Sequence, residues 1–164
     1  MKITPRIVFV LVFLVCAVLI GAALYLQEQE ALEPCPMCIL QRYAFVLVGA
    51  VSLVAAIHGP RGGWALRVYG GLATLFSLAG AGVAARHTWI QVFPPQTESC
   101  GTDLEFLVNT FPISQALPKI FAGTGSCSKV DWTMLGLSLP NWALLWFLAF
   151  TVATVWVAFV RRAG

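Results

Sequence analysis

Residues 7 to 26 read Ile7-Val-Phe-Val-Leu-Val-Phe-Leu-Val-Cys-Ala-Val-Leu-Ile-Gly-Ala-Ala-Leu-Tyr-Leu26, with no charge among them. A bilayer hydrocarbon core of about 30 Å needs about 20 apolar residues at a rise of about 1.5 Å each, so this run predicts a transmembrane helix. A cleaved signal peptide competes with that reading, because Lys2 and Arg6 precede the run and Ala22 and Ala23 are small. The run is, however, longer than the roughly 7 to 15 apolar residues of such peptides. Three more runs follow, at 39–57 with Arg42 near its start, at 65–85 with Arg67, and at 142–160. Each of these arginines sits near an end, where its side chain reaches the headgroups.

Composition agrees with the runs. Of 164 residues, 59% are hydrophobic and 10% charged, the mean hydropathy is +0.84, and a soluble domain carries about a quarter charged residues. A soluble globular fold is excluded, and a net charge of +3 is too small a surplus for a nucleic-acid binder. Four spans of about 20 residues use about half the chain, so residues 1–164 are expected to form one membrane domain, an all-α bundle of four transmembrane helices.

Loop charges predict the orientation. Lys2, Arg6, Arg61, Arg67, Arg161 and Arg162 share one side with no acid, which makes that side cytoplasmic and places both termini there. The other side holds all seven acids with Arg42, Arg86, Lys119 and Lys129, a net −3. Loops at about 27–38 and 86–134 therefore face outward. Within the second, Thr102-Asp-Leu-Glu105 reads as a capping box ahead of Leu104, Leu107, Val108 and Phe111, which predicts a short amphipathic helix resting on the membrane surface or packing on the bundle.

Four of the five cysteines fall on the outward side. Cys35-Pro-Met-Cys38 stands where the first outer loop enters span two; Cys100 and Cys127 lie in the second loop; Cys16 is alone in span one and reads as an inert buried thiol. An oxidising compartment lets such cysteines form disulfides. Haem attachment fails because Ile39, not His, follows Cys38. Zinc held by Cys35, Cys38, Cys100 and Cys127 is formally open but disfavoured in that compartment. Two inert structural disulfides remain an alternative, which would make the chain a non-catalytic scaffold. Against it, closing so short a Cys-x-x-Cys loop gives little chain-entropy stabilisation, and such pairs commonly have tuned thiols. Four cysteines allow three pairings, and the sequence does not choose among them.

The surroundings of the first pair favour redox chemistry. Span two begins near Cys38 and presents its positive dipole end to the sulfur. Arg42, one turn on, shares a helix face with Cys38 and can favour a thiolate or donate to a carbonyl oxygen. Cys100 and Cys127 flank a glycine-containing loop, where an exposed pair can accept electrons from a soluble dithiol and pass them inward. With no haem, flavin or iron-sulfur motif in the sequence, a lipid-soluble quinone near Cys38 and Arg42 is the economical acceptor.

Cys35-Pro-Met-Cys-Ile-Leu-Gln-Arg42, the two loop cysteines, His87-Thr-Trp-Ile-Gln91 and Leu135-Gly-Leu-Ser-Leu-Pro-Asn-Trp142 together resemble the bacterial disulfide bond formation protein B (DsbB) family over nearly the whole chain. The resemblance implies a four-helix inner-membrane enzyme, its active site facing the periplasm, that reoxidises the soluble thiol oxidase DsbA and reduces ubiquinone or menaquinone. By position, Cys100 would form the mixed disulfide with DsbA, with Cys127 as its partner. Cys38 would be the thiolate facing the quinone, with Cys35 as its redox mate. Arg42 and His87 would belong to the quinone site. Trp132 would lie where the loop re-enters the membrane, with an aromatic-belt anchor as its simpler role. Gln41 and Arg86 stand where some relatives carry acids. A vitamin K epoxide reductase type of enzyme shares four helices and Cys-x-x-Cys, but there the pair is expected near the last helix of the core bundle rather than at span two.

Overall fold

The computed structural model describes residues 4–29, 34–60, 63–94, 125–128 and 133–160. In chain order these form α1 (Pro5–Gln29), α2 (Pro36–His58), α3 (Gly63–Val92), the short α4 (Gly125–Ser128), β1 (Thr133–Met134), β2 (Leu137–Ser138) and α5 (Leu139–Val155), which continues as a π-helical turn over Trp156–Val160. Among the described residues four helices are long and apolar enough to cross a membrane: α1, α2, α3, and α5 with its extension to Phe159. The expected four-helix bundle is therefore present. The expected helix after Thr102, together with Cys100 and Trp132, lies outside the described residues.

Proline and glycine mark the helix ends. Pro5 and Pro36 open α1 and α2 at the first helical position, where a missing N–H costs no hydrogen bond. Gly59 closes α2 in the left-handed region at φ 58°, and its N–H donates to the Ala55 carbonyl at 3.0 Å. The apolar runs each lie inside a helix that extends past them. The largest difference is at α3, which continues to Val92, so Arg86–Val92 is helix where the loop at 86–134 was expected to begin. That segment holds neither glycine nor proline, and it buries His87 and Ile90 against the start of α2. A second difference is α4, a helical turn inside the same expected loop.

α2 and α3 pack together and α5 packs on α3, while α1 lies along α2 and barely touches α5. Lipid tails are as apolar as leucine, so close packing holds such a bundle. Phe147 of α5 shows this best, because it is fully buried and stacks on Phe45 of α2 with ring centroids 4.0 Å apart. Its ring lies so close to Gly80 of α3 that a Cβ there would fall 2.5 Å from it. Farther along the same interface Thr74 and Thr154 bring their hydroxyls to 2.8 Å. Outward faces stay apolar, with Val18, Ile57, Leu75 and Val152 all exposed, as a lipid-facing surface requires.

Candidate active site

One end of the bundle gathers the C-terminal ends of α1 and α3, the N-terminal ends of α2 and α5, and α4. Cys35 is the N-cap of α2, and its Sγ accepts a hydrogen bond from the Cys38 N–H at 3.4 Å. The sequence reading placed Cys38 at the mouth of this helix; the capping sulfur is Cys35, and Cys38 sits one turn inside. Both are thiols, their Sγ atoms 3.3 Å apart.

The two sulfurs face different surroundings. Cys35 is buried in a cluster with Met37, Ile90 and Cys127, and its Sγ is 3.6 Å from His87 Nε2. Cys38 is half-buried and lines an apolar pocket of about 130 Å³ between α1, α2 and α5, beside Arg42, Phe45, Trp142 and Trp146. The expected sharing of one helix face by Cys38 and Arg42 is thus seen in the pocket wall.

Arg42 is held by α1. Nη1 donates to Gln27 Oε1 at 2.6 Å and Nη2 to the Ala23 carbonyl at 3.4 Å, and a guanidinium has five N–H donors, so others remain for a ligand in the pocket. Gln27 was not singled out from sequence. It ends an apolar run, and only the placement of α1 beside α2 reveals its partner.

His87 is buried at the centre of the site. Nε2 lies 3.2 Å from the Cys127 carbonyl oxygen, which can only accept, so Nε2 carries the proton. In the neutral ring Nδ1 is then an acceptor, and the Gln41 side-chain amide donates to it at 3.1 Å. Gln41, noted in the sequence only as a departure from acidic relatives, therefore complements the tautomer that the Cys127 carbonyl selects in His87.

The structure brings together Cys35, Cys38, Arg42, His87 and Cys127. Cys127 differs from expectation: a glycine-flanked loop suggested exposure, yet it is buried, because α4 packs on α3 and its backbone carbonyl accepts a hydrogen bond from the His87 Nε2–H. Cys16 is distant from the pair, buried between α1 and Gly49 of α2. The two motifs quoted beyond the cysteines meet here as well. Thr88 Oγ1 donates to Asn141 Oδ1 at 2.9 Å, and Ser138 Oγ donates to Gln91 Oε1 at 2.6 Å. Trp142 Nε1 donates to the Met134 carbonyl at 3.1 Å, tying the hairpin of β1 and β2 to the start of α5.

Comparison with known proteins agrees with this arrangement. The family described as Disulfide bond formation protein DsbB matches residues 5–157. Among curated relatives, Disulfide bond formation protein B of Azoarcus sp. (strain BH72) is 55% identical over 157 residues, covering 96% of this chain and 94% of that protein. The protein of the same name from Aromatoleum aromaticum is 50% identical over 161 residues, covering 98% and 96%. That from Nitrosococcus oceani is 42% identical over 157 residues, covering 95% and 92%. Four apolar helices around a Cys-x-x-Cys helix cap, matched across nearly its full length, make this chain a member of the DsbB family.

Proposed function

We propose that this protein is a quinone-dependent thiol oxidase of the bacterial inner membrane, which reoxidises a DsbA-like periplasmic partner. The observation that carries the reading is the division of labour between two sulfurs 3.3 Å apart. Cys35 is buried beside Cys127 and His87, whereas Cys38, at the edge of that cluster, lines the apolar pocket between α1, α2 and α5.

The electron count closes in three exchanges. A partner dithiol reduces a Cys100–Cys127 disulfide and leaves as a disulfide. The resulting dithiol reduces a Cys35–Cys38 disulfide by thiolate attack on sulfur. The second dithiol then gives up two electrons and two protons and returns to a disulfide. Ubiquinone or menaquinone, when bound, supplies the acceptor for those two electrons and two protons. The chain's own residues fit that role: aromatic and aliphatic side chains line the pocket for a flat apolar ring, and Arg42 presents N–H donors suited to a carbonyl oxygen. His87, its Nε2 proton beside Cys35, stands where a proton must leave or join the pair. The loop-charge asymmetry supports a periplasmic position for this end.

Dithiol-driven reduction of added quinone by purified protein tests the reading. Cys38→Ser should abolish it. Arg42→Ala should raise the KM for quinone about 10- to 100-fold, the worth of a charge-assisted hydrogen bond, while exchange with the dithiol partner is nearly unchanged. Undiminished turnover in Cys38→Ser, or both disulfides remaining oxidised when a reduced partner is added without quinone, would favour a non-catalytic scaffold.

A further inference from the structure

Three ligand atoms of this site form a constellation that thiol exchange alone does not require. Cys35 Sγ, Cys38 Sγ and His87 Nε2 all lie within 4.8 Å of one another. We propose that the reduced Cys35–Cys38 pair and His87 form a site for a thiophilic divalent cation, Zn²⁺ above all, whose capture holds the protein in its reduced, inactive state.

Geometry supports this first. Tetrahedral zinc with Zn–S of about 2.3 Å and Zn–N of about 2.0–2.1 Å puts sulfur and nitrogen about 3.6 Å apart and two sulfurs about 3.8 Å apart. The observed Cys35 Sγ to His87 Nε2 distance is 3.6 Å and the sulfurs are 3.3 Å apart, so the sulfur pair opens by about half an ångström, while the edge from Cys38 Sγ to His87, within 4.8 Å, closes by up to about 1.2 Å as Cys38 turns towards the ring. The third ligand comes from α3, 52 residues away in sequence, and both helices hold it in place before any ion arrives.

Electrostatics supports it second. Two thiolates buried together are costly, whereas two thiolates with a divalent cation are neutral. Binding is an exchange of ions with no electron transfer: two S–H bonds give up their protons and two metal–sulfur bonds form. A disulfide offers no thiolate, so only the reduced pair qualifies. This differs from the four-cysteine zinc set considered from sequence, because His87 replaces the loop cysteines as the defining ligand.

Gln41 supplies the outer support. For Nε2 to bind a metal, the ring proton must move to Nδ1. A half-turn of the Gln41 carboxamide then presents Oε1 to accept it, with the same reach that now donates at 3.1 Å. That Zn²⁺ should stop turnover rests on the thiol-oxidase reading; that it should bind does not.

The test uses the full chain, purified in detergent and reduced with a phosphine that is then removed. Titration with Co²⁺ followed by Zn²⁺ should show one ion per chain, with sulfur-to-cobalt charge transfer and tetrahedral visible bands. Zinc-edge X-ray absorption should show both sulfur and imidazole neighbours. Removing a partner that only supports a ligand costs about 10- to 100-fold in metal affinity, so Gln41→Ala should weaken binding about tenfold and His87→Ala at least about 100-fold. Cys16→Ser, in the α1–α2 contact away from the pair, should bind as before. A sulfur-only shell in the unaltered protein, equal uptake by oxidised protein, or unchanged affinity in His87→Ala overturns the site. In the quinone assay Zn²⁺ should halt reduction and a chelator restore it; turnover persisting with the ion bound overturns the arrest. If no quinone is reduced even without zinc, the thiol-oxidase reading fails and the metal site stands on the binding data alone.

Discussion

The two ring nitrogens of His87 face partners of opposite character, an acceptor-only carbonyl at Cys127 and a carboxamide at Gln41. A neutral imidazole with both nitrogens satisfied this way has one tautomer and one ring orientation. Gln41→Leu removes one constraint while keeping the side chain's bulk. The side-chain ¹⁵N resonances of His87 should then report mixed tautomers, and quinone reduction should fall about 10- to 100-fold, as loss of an orienting hydrogen bond does at other histidine sites. A single unchanged tautomer in that variant would remove Gln41 from the positioning role. Cys35, Cys38, Arg42 and His87 were legible in the sequence because sulfur spacing, helix phase and family motifs all pointed to them. The parts played by Gln27 and Gln41 were not, because each is defined by a partner on another helix, 15 and 46 residues away.

At the scale of elements, the apolar runs announced four helices because lipid leaves the backbone no other partner than itself. How far α3 continues was less visible, since Arg86, His87 and Gln91 end the apolar pattern without ending the helix. The side chains of His87 and Gln91 find bonds only once α2, α4 and the start of α5 are in place. The fit of α5 against α3 rests on glycine where Phe147 enters. Gly80→Ala should force the ring to move or the helices to part, costing about 1–3 kcal/mol, read as a lower thermal midpoint in detergent. Gly82→Ala, where a Cβ meets nothing within 4 Å, is the matched control and should be neutral or slightly stabilising. Phe147→Leu combined with Gly80→Ala should recover part of the loss, because neighbouring sites couple. Equal midpoints for the two alanine variants would refute the wedge.

Viewed whole, the molecule is polarised. The reactive sulfurs, the interhelical bonds of His87, Arg42, Thr88 and Ser138, and the pocket lie at one end, while the loop joining α2 to α3 lies at the other. In the proposed topology, read from the loop charges, the first end faces outside the cell membrane. In a background lacking the native cysteines, Phe93→Cys at the reactive end should react with an impermeant maleimide added to intact cells, whereas His58→Cys should react only after permeabilisation; both positions are exposed. The reverse pattern would invert the topology and with it the partner compartment. Because α1 and α5 scarcely meet, the wall of the bundle is left ajar just where Cys38 and Arg42 stand. On the proposed quinone reading, a guest dissolved in the bilayer would arrive sideways through that gap by two-dimensional diffusion, its tail trailing among the acyl chains, so its supply would be governed by mole fraction in the lipid and not by concentration in water.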